Sequence, residues 1–536
     1  MMASILAIFT ISNIISILLL LLATSFVSFL FDWFLASPLG LLSRDVWSMF
    51  IPLRMAVAGA LGTECAMHNE LHQKYGSVCR LSSAEICIAD PELVHQVLKI
   101  WDLPKPEEIY GQMKLLKSDP DNIFITSDKA FHKRSRRLIM PAFSIRHLKN
   151  MEPLLLTIWE SFERKVSTLP TEDGWASVNM LECFQNMSFD TIGITAFGLS
   201  FGTVEAGHHP LLASQGILLY FYAMKVLFPS LSDIPLQLLP IRATIKLHKD
   251  TLSKVIHDRR RLNEKGEHPV DILQILLDCV DPATGAKFSD EEIKSTVHIL
   301  KEAGSDTTGA TMAWVLYFLL RNPETLVKIQ AELDAAFPDG MAKPMSLGQI
   351  NALPFLSAVI NETLRLRPVA PMVLREFPED RTIVAHDNDG KPFSVDVPVG
   401  TTAIVSLHTL HRSPQLWLRP NKFIPDRWLE TSTATLEEWS HENDQHVISE
   451  KAGHTGWGYP KLLNRQAYFP FSSGSRECIG KNFASNSVRL FCAHFLRRYE
   501  VVPRCDTGVQ DEGVCFLTLT PGKKEGLQVK IKRRAV

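Results

Sequence analysis

The first hydrophobic pattern is a long uncharged segment at the amino terminus. Residues 1–31 contain no charged side chain and include ISNIISILLLLLATSFVSFLF, which supplies the roughly 20 apolar residues that a bilayer-spanning helix needs. We predict one uncleaved transmembrane helix, with an anchor over 1–36 spanning at about 4–31, and a connection rich in Pro and Gly over 37–64. A cleaved signal peptide is the alternative, although it would need a basic start and a shorter apolar core.

The pattern after residue 64 predicts one globular domain over 65–536. VCRLS and EICIA alternate like short strands around a turn, and DPELVHQVL begins a helix with Pro91 in its first turn. Helical periodicity then dominates to about residue 370. The longest predicted helix begins with a Ser289/Glu292 capping box and ends before Pro323. At about 1.5 Å per residue it extends for roughly 50 Å, which places its midpoint in the core.

Later segments change period from helix to strand and back. Residues 379–407 alternate β-branched side chains around DNDG and PVG turns, which predicts hairpins. A helix is expected over about 478–498, and LTLTPGKKEGLQVKIK predicts a closing hairpin. The polar stretch 429–467 is expected to be a surface insertion. The fold class is therefore mainly α with a small β portion, an α+β domain preceded by one N-terminal transmembrane helix.

Composition excludes several classes of function. The chain has 536 residues, 46% of them hydrophobic and 21% charged, with a formal net charge of −2. This balance argues against disorder and gives no overall attraction to nucleic acid. The nine cysteines form no CxxC pair and have no His-rich spacing, which disfavours a zinc site or a disulfide framework. Arg44 and Arg54 follow the apolar segment, and the positive-inside rule places the domain in the cytosol.

Two segments carry residue types that a structural role alone does not require. FPFSSGSRECIG holds Cys478 between Gly474 and Gly480, whereas a buried structural cysteine beside a Gly-rich turn is the simpler alternative. AGSDTT, residues 303–308, puts small and polar residues in the middle of the long helix. Such hydroxyls often only donate to the carbonyl one turn earlier, which is the alternative here.

Two further segments carry charged residues at suggestive spacings. Glu362 and Arg365 in NETLRLRP lie at i and i+3 of a helix, and FIPDRW adds Arg427. Taken alone, such a pair is usually an exposed salt bridge of little energetic value. FHKRSRRLIMPAF places His132 four residues before Arg136.

In this order, the motifs resemble those of the cytochrome P450 family, the haem-thiolate monooxygenases. The resemblance implies the P450 fold and a haem b, an iron protoporphyrin IX, with Cys478 as the axial thiolate ligand. It also implies that Phe471 shields the sulfur and that Gly474 and Gly480 let the backbone approach the porphyrin. The substrate by this resemblance is an apolar small molecule.

The resemblance assigns roles within the long helix. Ala303 and Gly304 would form the widened groove in which dioxygen binds. Asp306 and Thr307 would be the acid–alcohol pair that supplies protons for oxygen activation. Lys301 and Glu302 depart from the apolar residues usual in the family, and Glu302 lies one turn before Asp306.

The same resemblance assigns the remaining charged residues. Glu362, Arg365 and Arg427 would form a buried ionic clasp behind the haem loop. The haem propionates would be bound by four side chains, His132, Arg136, Arg375 and Arg476. Arginine suits this role because its guanidinium binds carboxylate oxygens bidentately.

Partners and substrate follow from the resemblance in outline only. Electrons would come from NADPH through cytochrome P450 reductase at the endoplasmic reticulum membrane. Lys133, Arg134 and Arg137 form either the docking patch for the reductase or an ordinary solvated face. The apolar segment 211–240 resembles a mobile roof for lipophilic substrates, although plain helix packing is equally compatible, and 101–128 and 369–374 would supply other pocket walls.

The style of the loops resembles fungal members, many of which make terpenoids, polyketides or alkaloids. Fatty-acid or xenobiotic hydroxylation is the alternative. A haem-thiolate isomerase or dehydratase that uses no dioxygen is a second alternative, and a haem-based sensor or carrier is a third, although neither explains the presence of Asp306 and Thr307.

Overall fold

The computed structural model describes residues 39, 42, 50–227, 229–235, 239, 241–338, 340, 345–429, 464–504, 513–515, 517–522 and 526–534. The predicted span at 4–31 and nearly all of the 429–467 insertion lie outside these ranges. Within the described residues no helix is both long and apolar enough to cross a bilayer.

Helices form most of the described chain, as the periodicity predicted. The short helix Pro91–His95 continues as a π turn to Ile100. The helices are α1 Ile51–Leu61, α2 Glu64–Tyr75, α3 Pro91–His95, α4 Glu107–Tyr110, α5 Lys129–Ile139, α6 Ile145–Asn150, α7 Glu152–Ser167, α8 Met180–Phe197, α9 Thr203–Ala206, α10 Pro210–Leu227, α11 Arg242–Glu264, α12 Ile272–Asp278, α13 Asp290–Arg321, α14 Pro323–Ala336, α15 Leu347–Asn351, α16 Pro354–Leu366, α17 Leu407–Leu410 and α18 Lys481–Arg498.

The strands form small sheets that accompany these helices. Among the described residues, two sheets have four strands, in the orders β1-β2-β8-β5 and β3-β4-β12-β9, and two are two-stranded pairs, β6-β7 and β10-β11. The strands are β1 Val78–Arg80, β2 Glu85–Ile88, β3 Thr171–Glu172, β4 Trp175–Asn179, β5 Met372–Glu376, β6 Arg381–His386, β7 Pro392–Val397, β8 Thr402–Ser406, β9 Tyr499–Pro503, β10 Val514–Cys515, β11 Leu519–Thr520 and β12 Gln528–Arg533.

Helix α13 crosses the core, and its predicted capping box is confirmed. The Ser289 hydroxyl accepts from the N–H of Glu292, whose carboxylate accepts from the N–H of Ser289 at 2.7 Å. Helix α8 packs along α13. A Cβ at Gly309 would lie 3.0 Å from the Cα of Gln185, so glycine at this position allows the two backbones to approach closely.

Part of the predicted connection over 37–64 is helical. Residues 51–61 form helix α1, which has Pro52 in its first turn and ends at Gly62 with φ of 70°. Proline near a helix start and left-handed glycine just past its end are ordinary helix punctuation. The Pro and Gly of this segment therefore mark the ends of a helix, and the domain boundary at residue 64 stays a prediction.

Two predicted hairpins are corrected. The DNDG turn joins β6 to β7 as expected, but after the PVG turn β8 runs parallel to β2 and antiparallel to β5. The closing segment does not fold on itself either, since β11 pairs with β10 whereas β12 pairs with β4 and β9. Strand β8 is buried at every position, and burial on both faces requires a central place in a sheet.

Candidate active site

Cys478 lies on a tight loop between two helical segments. The loop follows the 3₁₀ turn Gly474–Arg476 and precedes α18. The N–H of Cys478 donates to the carbonyl of Phe471 at 3.0 Å, which closes the loop on itself. Among the described cysteines, Cys478 is the exposed one. The thiol is thus presented outward from a fixed backbone instead of being packed as a core side chain.

The two glycines of this loop differ in what they permit. Gly474 has φ of +76°, and a Cβ there would lie 1.9 Å from the carbonyl oxygen of Leu98. The protein's own packing therefore requires glycine at 474, whatever approaches from the other side. A Cβ at Gly480 would make only ordinary contacts, 3.9 Å from Phe143 and 4.0 Å from the Cys478 sulfur. Approach of a porphyrin to Gly474 and Gly480 stays a prediction.

The surroundings of Cys478 set its ionisation. The protein atoms packed around the Cys478 side chain raise the pKa of its thiol by removing water from it. The N–H of Gly480 and the guanidinium of Arg136 lower that pKa. Arg136 is held there by a 2.7 Å hydrogen bond to the carbonyl of Glu477. A metal ion bonded to the sulfur would favour the thiolate, since coordination deprotonates a thiol.

Cationic side chains from distant segments gather close to this loop. Burial and the neighbouring Arg476, Arg136 and Lys105 lower the pKa of His132 to about 3. Burial and Arg375 lower the pKa of Arg476 to about 10. The structure therefore brings together the four predicted propionate ligands. It adds Lys105, whose pKa falls far below its usual value for the same reasons and which no sequence motif indicated.

This cluster has the charge of a site for a carboxylate ligand. Arg375 is 2% exposed, and its Nε has no hydrogen-bond partner among the described residues. Asp102 interacts with both Arg375 and Arg476, and Asp128 interacts with Arg476. Among the described residues the cationic side chains of this cluster therefore outnumber the acids. Buried cations need anionic partners. The two propionates of a haem fit this set, which would hold them while Cys478 binds the iron.

The predicted ionic clasp is present and completely buried. Glu362, Arg365 and Arg427 are each 0% exposed. Arg365 donates to both carboxylate oxygens of Glu362 at 2.9 Å, Arg427 Nε donates at 3.0 Å and the Trp428 indole N–H at 3.0 Å. Arg365 Nη1 also donates to the carbonyls of two loop residues, His411 at 2.8 Å and Pro420 at 2.7 Å. Since every charge has partners, the clasp joins α16 to the segment that precedes the insertion.

Asp306 and Thr307, the predicted acid and alcohol, are adjacent in the middle of α13, and their side chains have different hydrogen-bond partners. The Thr307 hydroxyl donates to the carbonyl of Ala303 at 2.8 Å, and the side chain of Ala303 is exposed. Burial raises the pKa of Asp306, which hydrogen-bonds to Thr518. A Cβ at Gly304 would lie 2.7 Å from Ile192 of α8, so close helix packing also favours glycine there. The roles in oxygen binding and proton supply stay predictions.

Lys301 and Glu302 belong to a buried polar cluster that sequence reasoning did not foresee. Lys301 Nζ donates to Glu302 Oε1, and the Nδ1 atoms of His248 and His298 lie 3.7 and 3.9 Å from the same oxygen. The Tyr222 hydroxyl lies 3.0 Å from His298 Nε2. Burial raises the pKa of Glu302, and the neighbouring carboxyl group of Asp306 raises it further. The cluster ties α13 to α10 and α11, the helices over its centre.

The basic face of α5 is largely used within the protein. Arg134 pairs with Glu292 at 2.9 Å and donates to the carbonyl of Lys287 at 3.0 Å. Arg137 pairs at 2.6 Å with Asp281. Lys133 is exposed. The predicted docking patch therefore presents Lys133 to solvent, while both arginines already have carboxylate partners.

Comparison with known proteins identifies the family. The model of the family described as Cytochrome P450 matches residues 53–525. The chain belongs to the cytochrome P450 family. This P450 is an oxidoreductase of the monooxygenase type, and the family implies a haem with a cysteine thiolate ligand and electrons from a redox partner.

Named relatives agree with this assignment. The P450 is 28% identical over 503 residues to cytochrome P450 monooxygenase LUC2 of Fusarium sp, with 93% of this chain and 89% of the relative covered. It is 30% identical over 426 residues to cytochrome P450 monooxygenase mpsF of Macrophomina phaseolina, with coverages of 77% and 92%. The solved haem domain of cytochrome P450DA superposes with a TM-score of 0.71 at 23% identity, covering 88% of this chain and 94% of that one. The predicted P450 fold of the domain is confirmed, whereas the transmembrane helix before it stays a prediction.

Proposed function

We propose that this P450 is a membrane-anchored enzyme that uses haem b and dioxygen to insert one oxygen atom into an apolar small molecule in natural-product biosynthesis. The substrate class is a terpenoid, polyketide or alkaloid. The observation that carries the oxygenation is the position of Asp306 and Thr307, which are adjacent at the centre of α13, with the Thr307 hydroxyl bonded to the carbonyl of the exposed Ala303. Fungal monooxygenases among the relatives support the biosynthetic setting.

The reaction has a simple balance. One oxygen atom of O₂ enters a C–H bond or an alkene, the other leaves as water, and two electrons from NADPH and two protons complete the exchange. The haem iron activates dioxygen when bound, and Cys478 donates electron density to it. Burial raises the pKa of Asp306, and a raised carboxyl pKa suits a group that gives up a proton as a general acid.

Removing the hydroxyl of Thr307 is expected to separate NADPH consumption from product formation. In Thr307→Ala we expect NADPH oxidation to continue while product per NADPH falls severalfold and hydrogen peroxide rises, because proton supply loses its donor group. Parallel assays of NADPH, peroxide and product measure this ratio. Thr307→Ser should restore coupling. Thr311→Ala is the matched control, since Thr311 donates to the carbonyl of Thr307 one turn later at 2.8 Å. Unchanged coupling in Thr307→Ala would assign proton supply to another group, with Glu302 the first candidate.

The roof segment supports an apolar substrate. Helix α10 carries exposed Ile217 and Tyr220, at 53% and 58% exposure, while Leu218 and Tyr222 are buried against Leu115. An apolar outer face over an apolar inner face suits entry of a lipophilic compound from a membrane. A fatty acid or xenobiotic is the alternative substrate class.

A substrate-binding difference spectrum tests this proposal. Purified holoenzyme is titrated with fractions of the source organism's apolar extract, and the low-spin to high-spin change of the haem is followed. A saturable change with one fraction, followed by NADPH-dependent product carrying ¹⁸O from ¹⁸O₂, would establish oxygenation. Product without the label would indicate the isomerase or dehydratase alternative. A response restricted to fatty acids would contradict the natural-product assignment.

We further propose that the domain lies on the cytosolic face of the endoplasmic reticulum, anchored once by the apolar segment at about 4–31. The absence of charge over residues 1–31 and the arginines that follow, Arg44 and Arg54, support this orientation. Membrane lipid is then a partner of the full chain.

Electrons would arrive from NADPH–cytochrome P450 reductase at the basic face of α5. Reversing the charge in Lys133→Glu is expected to slow reduction of the haem severalfold at low ionic strength, with the difference shrinking as salt rises. Stopped-flow reduction with the reductase measures it. Lys254→Glu is the control, since Lys254 is exposed on α11. Equal effects of the two variants would place docking elsewhere.

A further inference from the structure

One helix and one hairpin bring together three potential metal ligands that are far from Cys478 in sequence. His72 lies on α2, and Cys79 and Cys87 lie directly opposite each other on β1 and β2. The two cysteines are 0% exposed and His72 is 7% exposed. Directly paired residues of neighbouring strands project on the same side of the sheet, and here that side faces α2.

The ligand atoms have the spacing of one coordination sphere. His72 Nε2 lies 3.2 Å from the sulfur of Cys87 and 4.0 Å from the sulfur of Cys79, and all three atoms fall within 4.8 Å of one another. With zinc bonds of about 2.3 Å to sulfur and about 2.0 Å to nitrogen, tetrahedral geometry separates neighbouring ligands by roughly 3.5 to 3.8 Å. Small rotamer adjustments would suffice to bring the three atoms to a common centre.

The imidazole is already oriented for coordination. His72 Nδ1 lies 2.8 Å from the carbonyl oxygen of Gly76. A carbonyl only accepts, so Nδ1 carries the proton and Nε2 presents its lone pair to the thiols. A histidine that ligates a metal is typically held by such a bond from its other nitrogen. The peptide group that carries this carbonyl is held in place, since the N–H of Ser77 donates to the carbonyl of His386 at 2.9 Å.

The chemistry of the set selects the ion. Two thiols and an imidazole bind zinc or copper(I) and not magnesium or calcium, which prefer oxygen ligands. The surroundings are apolar, with Met67, Leu71 and Ile404 in the same buried cluster. Two thiolates with Zn²⁺ have no net charge, which suits such surroundings better than a monovalent ion would. Binding releases the two thiol protons.

We propose that His72, Cys79 and Cys87 bind one Zn²⁺, which fastens helix α2 to the β1-β2 hairpin. The site shares no residue with the Cys478 loop and does not depend on the proposed function. In the sequence alone, the absence of a CxxC pair argued against a zinc site. The β1-β2 hairpin brings the two thiols close together instead, because its register places Cys79 directly opposite Cys87.

Metal analysis of the purified, haem-loaded full chain tests the site. Grown with zinc, the enzyme is expected to contain about one zinc per haem by elemental mass spectrometry, and Cys79→Ser or Cys87→Ser should lose most of it because each removes one ligand. Cys183→Ser, which replaces a cysteine of α8 outside the cluster, is the matched control and should keep its zinc. A wild-type enzyme free of zinc, or a Cys87→Ser variant with unchanged zinc, would overturn the proposal.

Two measurements on the wild-type chain avoid any dependence on variants that fail to fold. The zinc absorption edge should show sulfur neighbours at about 2.3 Å together with nitrogen at about 2.0 Å. Scattering from oxygen and nitrogen alone would mean adventitious zinc and would contradict the assignment. Peptide mapping without reductant should yield free Cys79 and Cys87 after zinc removal, whereas a Cys79–Cys87 disulfide in the native enzyme would exclude metal binding.

Discussion

Replacement of Cys478 by alanine is expected to abolish thiolate-ligated haem. The cationic cluster around Arg375 and Arg476 would still attract the propionates, but nothing in the loop would bind the iron in place of sulfur. The reduced carbon monoxide difference spectrum reports the ligand directly, and the pyridine haemochrome assay reports total haem. We expect loss of the thiolate signature, a severalfold fall in haem content and no NADPH-dependent product, because the thiolate ligand is required for oxygen activation.

A second cysteine provides a control for the loss of sulfur alone. Cys492 is buried in α18, the helix that begins just after Cys478. Cys492→Ala leaves a small cavity and no change at the iron, so its spectrum should match that of the wild type. Retention of the native thiolate spectrum in Cys478→Ala would refute the assignment of the axial ligand. Equal loss in both variants would show a general effect on folding.

The helices and strands that the sequence predicted best are those whose terminal residues form a recognisable cap, proline stop or turn. Helix α13 begins at a capping box formed by Ser289 and Glu292 and ends before Pro323, all within a few residues of its termini. Motifs of this kind depend on local hydrogen bonds and sterics, so they do not require knowledge of the fold. The same holds for the β1-β2 hairpin.

Strand partners were predictable only in part because pairing is decided at long range. The PVG turn and the turn after residue 520 have hairpin composition, yet β8 joins β2 and β5 while β12 joins β4 and β9. Turn composition permits a reversal of the chain without requiring the following strand to pair with the preceding one. Burial of β8 on both faces decides its place, and that depends on helices distant in sequence.

The residues of the candidate active site likewise fall into those that short motifs indicated and those that no motif indicated. Cys478, Glu362 and Arg427 lie in short motifs, and the resemblance of those motifs to the cytochrome P450 family assigned their roles. Lys105 and His248 lie in no motif, and each acquires its meaning from neighbours more than 50 residues away, Arg375 and Arg476 in one case and Glu302 in the other. Spacing along the chain does not predict such contacts, which arise only when the helices pack.

Removing the charge of Glu362 is expected to destabilise the enzyme more than any other single change to the clasp. Glu362→Gln leaves Arg365 and Arg427 buried without a carboxylate, and breaking a buried pair from one side costs about 3–5 kcal/mol. The free energy of unfolding should fall by that amount in chemical denaturation, and haem content should fall severalfold, because α16 loses its connection to the segment before the insertion. Glu70→Gln is the matched control, since Glu70 pairs with Arg54 on the surface at 2.7 Å, and we expect little change there.

The pH dependence of the stability of Glu362→Gln distinguishes the effect of the Glu362 charge from the effect of its side-chain shape. Burial opposes ionisation of Glu362, but Arg365, Arg427 and the N–H of Ile424 together hold the pKa of its carboxyl below the ordinary value. A lowered pKa in the folded state adds stability above the ordinary carboxyl pKa of about 4.3, and this stability is lost as the pH falls through the folded pKa. The difference between wild type and Glu362→Gln should therefore be constant near neutral pH and shrink in acid. A difference that persists unchanged below the folded pKa would mean that the clasp depends on the shape of Glu362 and not on its charge.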